Sequence, residues 1–276
     1  MKDPIGDRMK DFYESRTKYK LQRRTNTIIR IDGKAFHTYT KGLNRPFDDG
    51  LIEDMNETTK YLCENIQGAK MAYVQSDEIS ILLTDYDDLN TQAWFDNNIQ
   101  KITSIAASLA TAKFNQLRMS RACDNYDGDF QFDVLDKTNI NNFKLAMFDA
   151  RVFQIASQEE VVNYFIWRQK DAIRNSISSV AQYYFSSKEL HGKKTNDMLN
   201  MLLEKNINWE QDFNYRKRHG SAVKKITEIK SANVISYNEN GEPNMNNVVK
   251  RTKWYIDEKT PEFLIDKNYI FQLFPK

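Results

Sequence analysis

Apolar and polar positions alternate along the first half of the chain in a way that predicts strands. Residues 26–32, NTIIRID, are rich in β-branched side chains and precede Gly33, which is typical of a strand that runs into a turn. The runs MAYVQ and EISILL are separated only by Ser76 and Asp77, and this spacing predicts a tight hairpin. A further strand is predicted for residues 148–155, FDARVFQI.

Helical periodicity fills the gaps between these strands. Residues 48–65 carry apolar side chains every three or four positions, and residues 99–117 repeat this spacing with many small residues. The resulting order is strand, helix, hairpin, helix, strand, as in a split βαβ unit. It predicts an α+β fold, with a polymerase-palm or ferredoxin-like antiparallel sheet covered by helices and followed by helical and C-terminal additions.

The predicted organisation is a palm-like core followed by an extension. The core covers residues 1–156, and residues 157–276 form a long helix and a helical and C-terminal extension packed on the same unit. Ser157 and Glu160 have the spacing of a capping box at the start of that long helix. Residues 231–247 are polar and rich in asparagine, and we expect them to form a loop.

The composition says more about the environment in which the protein works than about its activity. The 276 residues are 40% hydrophobic, which is enough for a substantial core, and the net charge is only +2. Cys63 and Cys123 are the only cysteines, so no disulfide framework is expected, and a reducing cytoplasm is the simplest location. The most apolar helical segment is too short to cross a bilayer, so no membrane is expected as a partner.

Two acids stand where the predicted strands end. Asp32 closes the first strand and Asp77 lies at the tip of the hairpin, and the predicted topology makes these strands neighbours. Converging carboxylates repel each other unless cations intervene, and carboxylate and carbonyl oxygens are the ligands that magnesium prefers. The sequence therefore favours a two-metal site for phosphoryl or nucleotidyl transfer. The alternative is that Ser-Asp-Glu forms only a solvated turn.

The segment after the first strand has the chemistry of a phosphate-binding turn. In GKAFHTYTKGLNRPFDD, a glycine is followed by Lys34, His37, Lys41 and Arg45. Exposed backbone N–H groups and nearby cations can hold a triphosphate, although no P-loop glycine pattern is present. Taken alone, His37 could equally be a packed or surface histidine.

Three basic clusters suggest a polyanionic partner. They lie in RTKYKLQRR, SSKELHGKK and YRKRHG, with tyrosines nearby that could stack on bases. We predict that they line a groove for an RNA backbone, and the alternative is that each is a solvated face. The residues assigned to RNA from these clusters are Arg23, Arg24, Lys188, His191, Lys193, Arg216 and Lys217.

Several motifs together resemble those of the tRNA-histidine guanylyltransferase superfamily, whose members add nucleotides to RNA 5′ ends in the 3′-to-5′ direction. The motifs are IIRIDGKAFHTYTK, RPFDD, YVQSDEIS, FDARV and YFIWRQKDAIRNS, in this order, and the tail WYIDEKTPEFLIDKNYI is similar to tails of bacterial-type members. The resemblance implies a palm-like catalytic domain, two Mg²⁺ ions, ATP and GTP or other nucleoside triphosphates as substrates, tRNA as partner, and a homotetramer.

The same resemblance assigns roles to individual positions. It implies that the metal ligands are Asp32, the carbonyl of Gly33 and Asp77, with Glu78 beside them as a third catalytic acid. Arg174 and Asn175 on the long helix would approach RNA or nucleotide. The nucleotide would be bound by Gly33, Lys34, Ala35, Phe36, His37, Arg45, Asp48 and Ser76.

One departure from the family pattern bears on the substrate. Enzymes that mature histidine tRNA carry His-Ile-Asn-Asn in the long helix, where this chain has Ile-Arg-Asn-Ser at 173–176. In this respect the chain resembles the guanylyltransferase-like branch, which favours template-directed repair of 5′-truncated tRNA, with ATP activating 5′-monophosphate ends.

Other functions stay open at this level. Within the superfamily, the chain could instead add a single 5′ guanosine to histidine tRNA. A palm with paired acids could also be a nucleotide cyclase or another nucleotidyltransferase, which turnover of ATP or GTP without RNA would reveal. A non-catalytic RNA-binding relative is a further alternative, against which the retained acids argue, because carboxylates that repel each other have no other evident use.

Overall fold

A computed structural model of the chain describes residues 3–124, 144–231, 236–237, 243–244 and 248–275. The predicted order of strand, helix, hairpin, helix and strand is confirmed, and the fold class is α+β. The strands are β1 (Asn26–Gly33), β2 (Ala69–Gln75), β3 (Glu78–Leu83), β4 (Phe148–Ile155), β5 (Ser221–Ser231), β6 (Ser236–Tyr237), β7 (Pro243–Asn244) and β8 (Val248–Asp257).

Helices cover the sheet and extend beyond it. Two short 3₁₀ segments, Glu14–Thr17 and Trp94–Asn97, lie in the connections. The helices are α1 (Pro4–Phe12), α2 (Phe36–Tyr39), α3 (Asp49–Asn65), α4 (Ile99–Asp124), α5 (Gln158–Tyr184), α6 (Ser187–Leu190), α7 (Thr195–Glu204), α8 (Trp209–Asp212), α9 (Tyr215–His219) and α10 (Asn268–Phe271). Among the described residues, no helix has the length and apolar character needed to span a membrane.

Six of these strands form one antiparallel sheet in the order β4-β1-β3-β2-β5-β8. Strands β1 and β3 are central, so both of their faces are covered, and every residue of β3 is buried. This explains why these segments read as nearly continuous apolar runs rather than as strict alternation. Sequence reasoning did not predict β5 and β8, which extend the palm sheet next to β2.

The two faces of the sheet carry separate cores. Ile29 and Ile31 of β1 pack with Met55 of α3 and Ile102 of α4 on one face. On the other face, Ile28 belongs to a cluster built with α5 and the C-terminal segment. The members of that second cluster that lie outside the sheet are Val161, Val162, Tyr164, Phe165, Ile166, Ala172, Phe263, Tyr269, Ile270 and Phe274.

Helices α3 and α4 are joined by a buried ion pair. Asp54 is 2% exposed and accepts hydrogen bonds from Arg118 at 3.0 Å and Arg121 at 2.9 Å. The carboxyl of Asp48 accepts from the Leu51 N–H at 2.7 Å and thereby caps α3. These contacts fix α3 relative to α4 and define where α3 begins.

The long helix α5 begins at the predicted cap. Ser157 accepts a hydrogen bond from the Glu160 N–H at 3.3 Å. The prediction of a full capping box is wrong, because the Glu160 carboxylate accepts from Asn163 at 2.9 Å instead of reaching back to residue 157. Farther along, α5 shares a third core cluster with α7 and α8, built around Ile177, Val180, Leu202 and Trp209.

The predicted loop at 231–247 lies mostly outside the described residues. Its described parts are Ser231, at the end of β5, and the short strands β6 and β7, which pair with each other. The proposed division at residue 156 stays a prediction.

Candidate active site

A row of acidic side chains crosses the sheet at the end of β1. The strand register places Asp32 directly opposite Glu78 on β3 and directly opposite Asp149 on β4. Directly opposed residues in antiparallel strands project from the same face, so these three acids share the face that α5 covers. Asp77 follows immediately in the hairpin. The predicted meeting of the first strand with the hairpin is therefore seen in the register.

Asp77 is held in a crowded, partly buried turn. Ser76 has a positive φ of 50°, and its hydroxyl donates to the Asp77 carboxylate at 3.0 Å. Burial raises the pKa of Asp77 to about 6, and the negative charges of Asp32 and Glu78 act in the same direction, although its own backbone N–H and Ser76 oppose the shift. The raised pKa of Asp77 therefore reflects mainly its removal from water, with a smaller contribution from the neighbouring acids.

Glu78 is tied to α5 instead. It is 7% exposed and accepts a hydrogen bond from Arg168 at 2.7 Å, while Arg30 lies 3.8 Å away. Burial raises the pKa of Glu78, and the two arginines limit that rise. Its second carboxylate oxygen has no hydrogen-bond partner among the described residues. The ion pair between Glu78 and Arg168 therefore links the hairpin to α5.

Asp32 and Asp149 lie on this same face but are partly exposed, and one arginine lies beside both. Arg151 lies 3.9 Å from the Asp32 carboxylate and 3.2 Å from that of Asp149. The Asp32 side chain is 37% exposed, so it is accessible to a ligand. Sequence reasoning missed Asp149, although the spacing of Asp149 and Arg151 in a period-two strand could have placed both on the Asp32 face.

The acidic edge, which we define as Asp32, Asp77, Glu78 and Asp149, has the chemistry of a site for a hard cation. Asp32 and Asp77 offer carboxylate oxygens, which magnesium prefers, and the pKa of Asp77 is raised by burial and, to a smaller extent, by repulsion from Asp32 and Glu78 that a cation would relieve. In the part of the chain that the structure describes, no three or more His, Cys, Asp or Glu side chains form a ready metal cluster. A magnesium ion bound by few side chains completes its coordination with waters, substrate phosphates or a main-chain oxygen, for which the Gly33 carbonyl is the expected source.

The predicted phosphate turn is shaped by glycine and one left-handed residue. A Cβ on Gly33 would lie 2.2 Å from the ring of Phe36, so only glycine permits this turn. Ala35 has a φ of 54° and leads directly into the single turn of α2. The Phe36 ring is buried in an aromatic cluster, so this residue can offer only its backbone to a nucleotide. Lys34 and His37 are exposed beside it.

A cavity of about 360 Å³ opens next to this turn and the hairpin. It collects residues that are far apart in sequence, from the turn, the start of α3, the end of β2, one face of α5, and α9. The predicted site residues that line it are His37, Arg45, Asp48, Ser76, Asn175, Arg216 and Lys217. Asp32, Gly33, Lys34, Ala35, Phe36, Asp77 and Glu78 are not among its lining residues, and Asp77 is the immediate neighbour of Ser76.

Two cations of the cavity are already paired with acids. Arg216 donates to Asp49 at 3.0 Å and to Glu258 at 2.7 Å, and Lys217 donates to Asp49 at 2.9 Å. Their side chains are only 15% and 18% exposed, which differs from the open basic cluster expected for RNA binding.

Gly220, after α9, has a φ of 73°, and a Cβ there would lie 2.5 Å from the Val74 carbonyl oxygen.

The four residues at 173–176 of α5 lie in three environments: the apolar cluster around Trp209, the protein surface and the cavity. Ile173 packs against the cluster around Trp209, and Arg174 is exposed and paired with Asp171. Asn175 faces the cavity. The Ser176 hydroxyl accepts from the Trp209 indole N–H at 3.0 Å, which gives it a structural use.

The remaining basic residues divide into fixed and exposed groups. Arg23 donates to Asp85 at 2.8 Å and to the Thr91 carbonyl at 3.1 Å, and it therefore holds the loop after β3. Arg24 donates to the Asp88 carbonyl at 3.4 Å. By contrast, Lys188, His191 and Lys193 are exposed on and after α6.

Comparison with known proteins places this geometry among related folds. Residues 6–156 match the model of the family described as tRNAHis guanylyltransferase. A curated tRNA(His) guanylyltransferase from Debaryomyces hansenii is 29% identical over 155 residues, which cover 55% of this chain and 52% of that enzyme.

Two solved structures resemble almost the whole chain. One is a bacterial tRNA(His) guanylyltransferase-like protein in complex with ATP, which is 43% identical, covers 98% of each chain and has a TM-score of 0.77. The other is a bacterial protein of the same description in complex with GTP, which is 42% identical, covers 98% of this chain and 99% of that one, and has a TM-score of 0.74.

Proposed function

Because the chain belongs to the tRNAHis guanylyltransferase family and is a nucleotidyltransferase, we propose that it repairs the 5′ ends of truncated tRNA by template-dependent 3′-to-5′ addition. The observation that carries this proposal is the position of the acidic edge beside the cavity: Ser76 lines the cavity, and Asp77 is the next residue. One end of this site can bind a nucleotide while the other supports transfer of its phosphate.

The reaction has two transfers. An oxygen of the RNA 5′-monophosphate attacks the α-phosphorus of ATP and releases pyrophosphate, which leaves an adenylylated 5′ end. The 3′-hydroxyl of the incoming nucleoside triphosphate then attacks the RNA 5′-phosphorus and releases AMP. An RNA that already bears a 5′-triphosphate skips the first transfer and releases pyrophosphate in the second.

Asp32, Asp77 and the Gly33 carbonyl would hold two Mg²⁺ ions. When bound, the ions lower the charge barrier at the attacking and leaving oxygens. Asp77 must be ionised to bind a metal ion. Because its pKa is about 6, the Asp77 carboxyl is mostly ionised at neutral pH. Glu78, fastened by Arg168, positions the hairpin that carries Asp77.

The turn after β1 and the cavity rim would bind the triphosphate. His37 and Arg45 line the rim, and the backbone of Ala35 and Phe36 enters the one-turn helix α2 beside them. Arg216 and Lys217 line the same cavity, but Asp49 and Glu258 already balance their charges, so His37 and Arg45 are the proposed contacts of the triphosphate.

The long helix favours repair over single guanosine addition. Ile173 stands where enzymes that mature histidine tRNA have histidine, and its side chain packs into an apolar cluster. It therefore offers no ring nitrogen to a nucleotide or an RNA. Ser176 is likewise bound to Trp209, which leaves Asn175 as the amide of this segment that faces the cavity.

An extension assay tests the proposal. A tRNA transcript that lacks its first 5′ nucleotide and carries a 5′-monophosphate is incubated with Mg²⁺, ATP and the four nucleoside triphosphates. Restoration of the paired end, with no further growth, is the expected result. Addition of one guanosine to intact histidine tRNA alone would instead identify the maturation activity, and RNA binding without extension would identify a binding protein.

A further inference from the structure

The lining of the cavity is chemically mixed. His37, Arg45 and Ser76 contribute polar and charged groups from the turn and the hairpin. The start of α3 and the segment before it contribute a run of apolar side chains, namely Leu43, Pro46, Phe47, Leu51, Ile52 and Met55. The polar groups suit a triphosphate, and the apolar side chains suit a flat aromatic base.

Asn56 is the polar exception on the α3 wall of the cavity. It lines the cavity, is 3% exposed, and its side-chain amide nitrogen has no hydrogen-bond partner among the described residues. Buried polar groups are normally paired, and leaving one unpaired is unfavourable. The amide therefore lies beside the cavity with hydrogen-bonding capacity that the chain itself does not use.

Neighbouring polar residues on α3 do not share this feature. The Thr58 hydroxyl donates to the Asp54 carbonyl at 2.6 Å, and the Thr59 hydroxyl donates to the Met55 carbonyl at 2.7 Å. Asparagine is also a weaker helix former than leucine or alanine in the middle of a helix. Neither local packing nor helix propensity accounts for an amide at residue 56, and its partner is therefore sought among molecules that enter the cavity, a nucleotide or an ordered water.

Resting on the proposed function, we propose that Asn56 reads the base of the activating nucleotide and selects adenine. An asparagine amide carries a donor beside an acceptor. Adenine presents the complementary pair, N7 as acceptor and the N6 amino group as donor, whereas guanine presents two acceptors, N7 and O6, at the same edge. A guanine in this orientation would bring its O6 against the amide oxygen.

Binding measurements on the full chain test this assignment. Dissociation constants for ATP, GTP and 7-deaza-ATP, which lacks the N7 acceptor, are compared for the wild type, Asn56→Ala and Asn65→Ala. Asn65 is the matched control, because it is an exposed asparagine on the same helix and does not line the cavity.

We expect the wild type and Asn65→Ala to bind ATP about tenfold more tightly than GTP and more tightly than 7-deaza-ATP by a similar factor. In Asn56→Ala, the three affinities should come within about twofold of each other, because the edge is no longer read. A merely structural role of Asn56 would weaken all three nucleotides equally and leave the ratios unchanged. Asn56→Thr, a smaller polar replacement, gives the same readout if the alanine variant does not fold.

The outcomes separate this inference from the function on which it rests. Wild-type protein that binds ATP but treats 7-deaza-ATP equally would overturn the role of Asn56 and leave the transferase proposal intact. The role would also be overturned if the preference for ATP survived in the variant. Wild-type protein that binds none of the three nucleotides would overturn both.

Discussion

The acidic edge and the cavity are adjacent, yet they are built in opposite ways. Asp32, Glu78 and Asp149 occupy fixed register positions on three neighbouring strands, and burial with some repulsion from neighbouring acids raises the pKa of Asp77 beside them to about 6. The cavity is assembled from five distant segments, and its cations Arg216 and Lys217 are neutralised by Asp49 and Glu258. The proposed chemistry thus lies on neighbouring strands of the sheet, and the proposed nucleotide binding lies on segments that only packing brings together.

The largest expected effect is at the acidic edge. Asp77→Ala should lower the rate of nucleotide transfer by about a thousandfold or more, because several kcal/mol of charge stabilisation depend on the metal site. Binding of ATP and tRNA should change little. Single-turnover rates and separate binding measurements check both halves.

Asp149→Asn is the matched control for that substitution. Asp149 lies in the same row of acids but on the outer side of Asp32, and its side chain is 60% exposed. Its loss should cost less than about tenfold in rate. A loss as large as that of Asp77→Ala would mean that Asp149 belongs to the metal site together with Asp77.

The next effect concerns the link between the edge and α5. Arg168→Met should destabilise the protein by about 3 kcal/mol, because it leaves the buried Glu78 carboxylate without its closest cation. Denaturant unfolding measures the change. The double variant Arg168→Met with Glu78→Gln should be less destabilised than Arg168→Met alone.

Arg174→Met is the control on the same helix. Arg174 is exposed and pairs only at the surface, so its replacement should change stability by less than about 0.5 kcal/mol. Equal destabilisation by the two methionine variants would contradict the buried clamp between α5 and the hairpin.

A smaller effect is expected for RNA binding, where exposed and paired cations should differ. Replacing Lys188 and Lys193 with alanine should weaken tRNA binding by about tenfold at low salt and reduce the salt slope by about 2. Lys217→Ala should leave the slope nearly unchanged, because Asp49 already neutralises Lys217. Binding titrations at several salt concentrations decide the matter, and the reverse ranking would mean that tRNA displaces the acidic partners.

The smallest effect is a pH-dependent stability of the metal-free protein. Asp77 has a folded pKa of about 6 against an ordinary value of 3.8, so the folded state holds the extra proton between these values. Stability therefore falls as pH rises from about 4 to about 6, and the whole penalty is present at pH 8.

Asp77→Asn removes that ionisation. It should raise the free energy of unfolding by about 1 kcal/mol at pH 8 in the presence of a chelator, after allowance for solvent screening of a partly exposed group. Near pH 4 it should have little effect. Thermal melts at both pH values check this, and an equal gain at both would point to packing rather than charge.

The same comparison explains what the sequence could predict. Strands β1 to β4, helices α3 and α4, and the approach of Asp32 to the hairpin follow from local periodicity and turn chemistry. Strands β5 and β8 were missed because the polar, asparagine-rich stretch between them was interpreted as a loop, although it contains Asn240-Gly241, a dipeptide typical of hairpin turns. Asp149 was missed because its position depends on register across β1.

The cavity was beyond sequence reasoning for a similar reason. No local pattern links Asn56 on α3 with Asn175 on α5 and Arg216 on α9, although all three line one cavity. Arg168 lay within a recognised motif, but its role depends on the buried Glu78 carboxylate, 90 positions away. Residues that act through packing between distant segments have no characteristic spacing in the sequence by which they could be predicted.

The most direct test of the central claim varies one template base. Four tRNA transcripts lack the first 5′ nucleotide and carry adenine, cytosine, guanine or uracil at the position with which that nucleotide would pair. Each receives ATP, Mg²⁺ and all four nucleoside triphosphates, and the 5′ end of the product is sequenced. The account predicts that the added nucleotide is the complement in all four cases. Addition of guanosine regardless of the opposing base would contradict it.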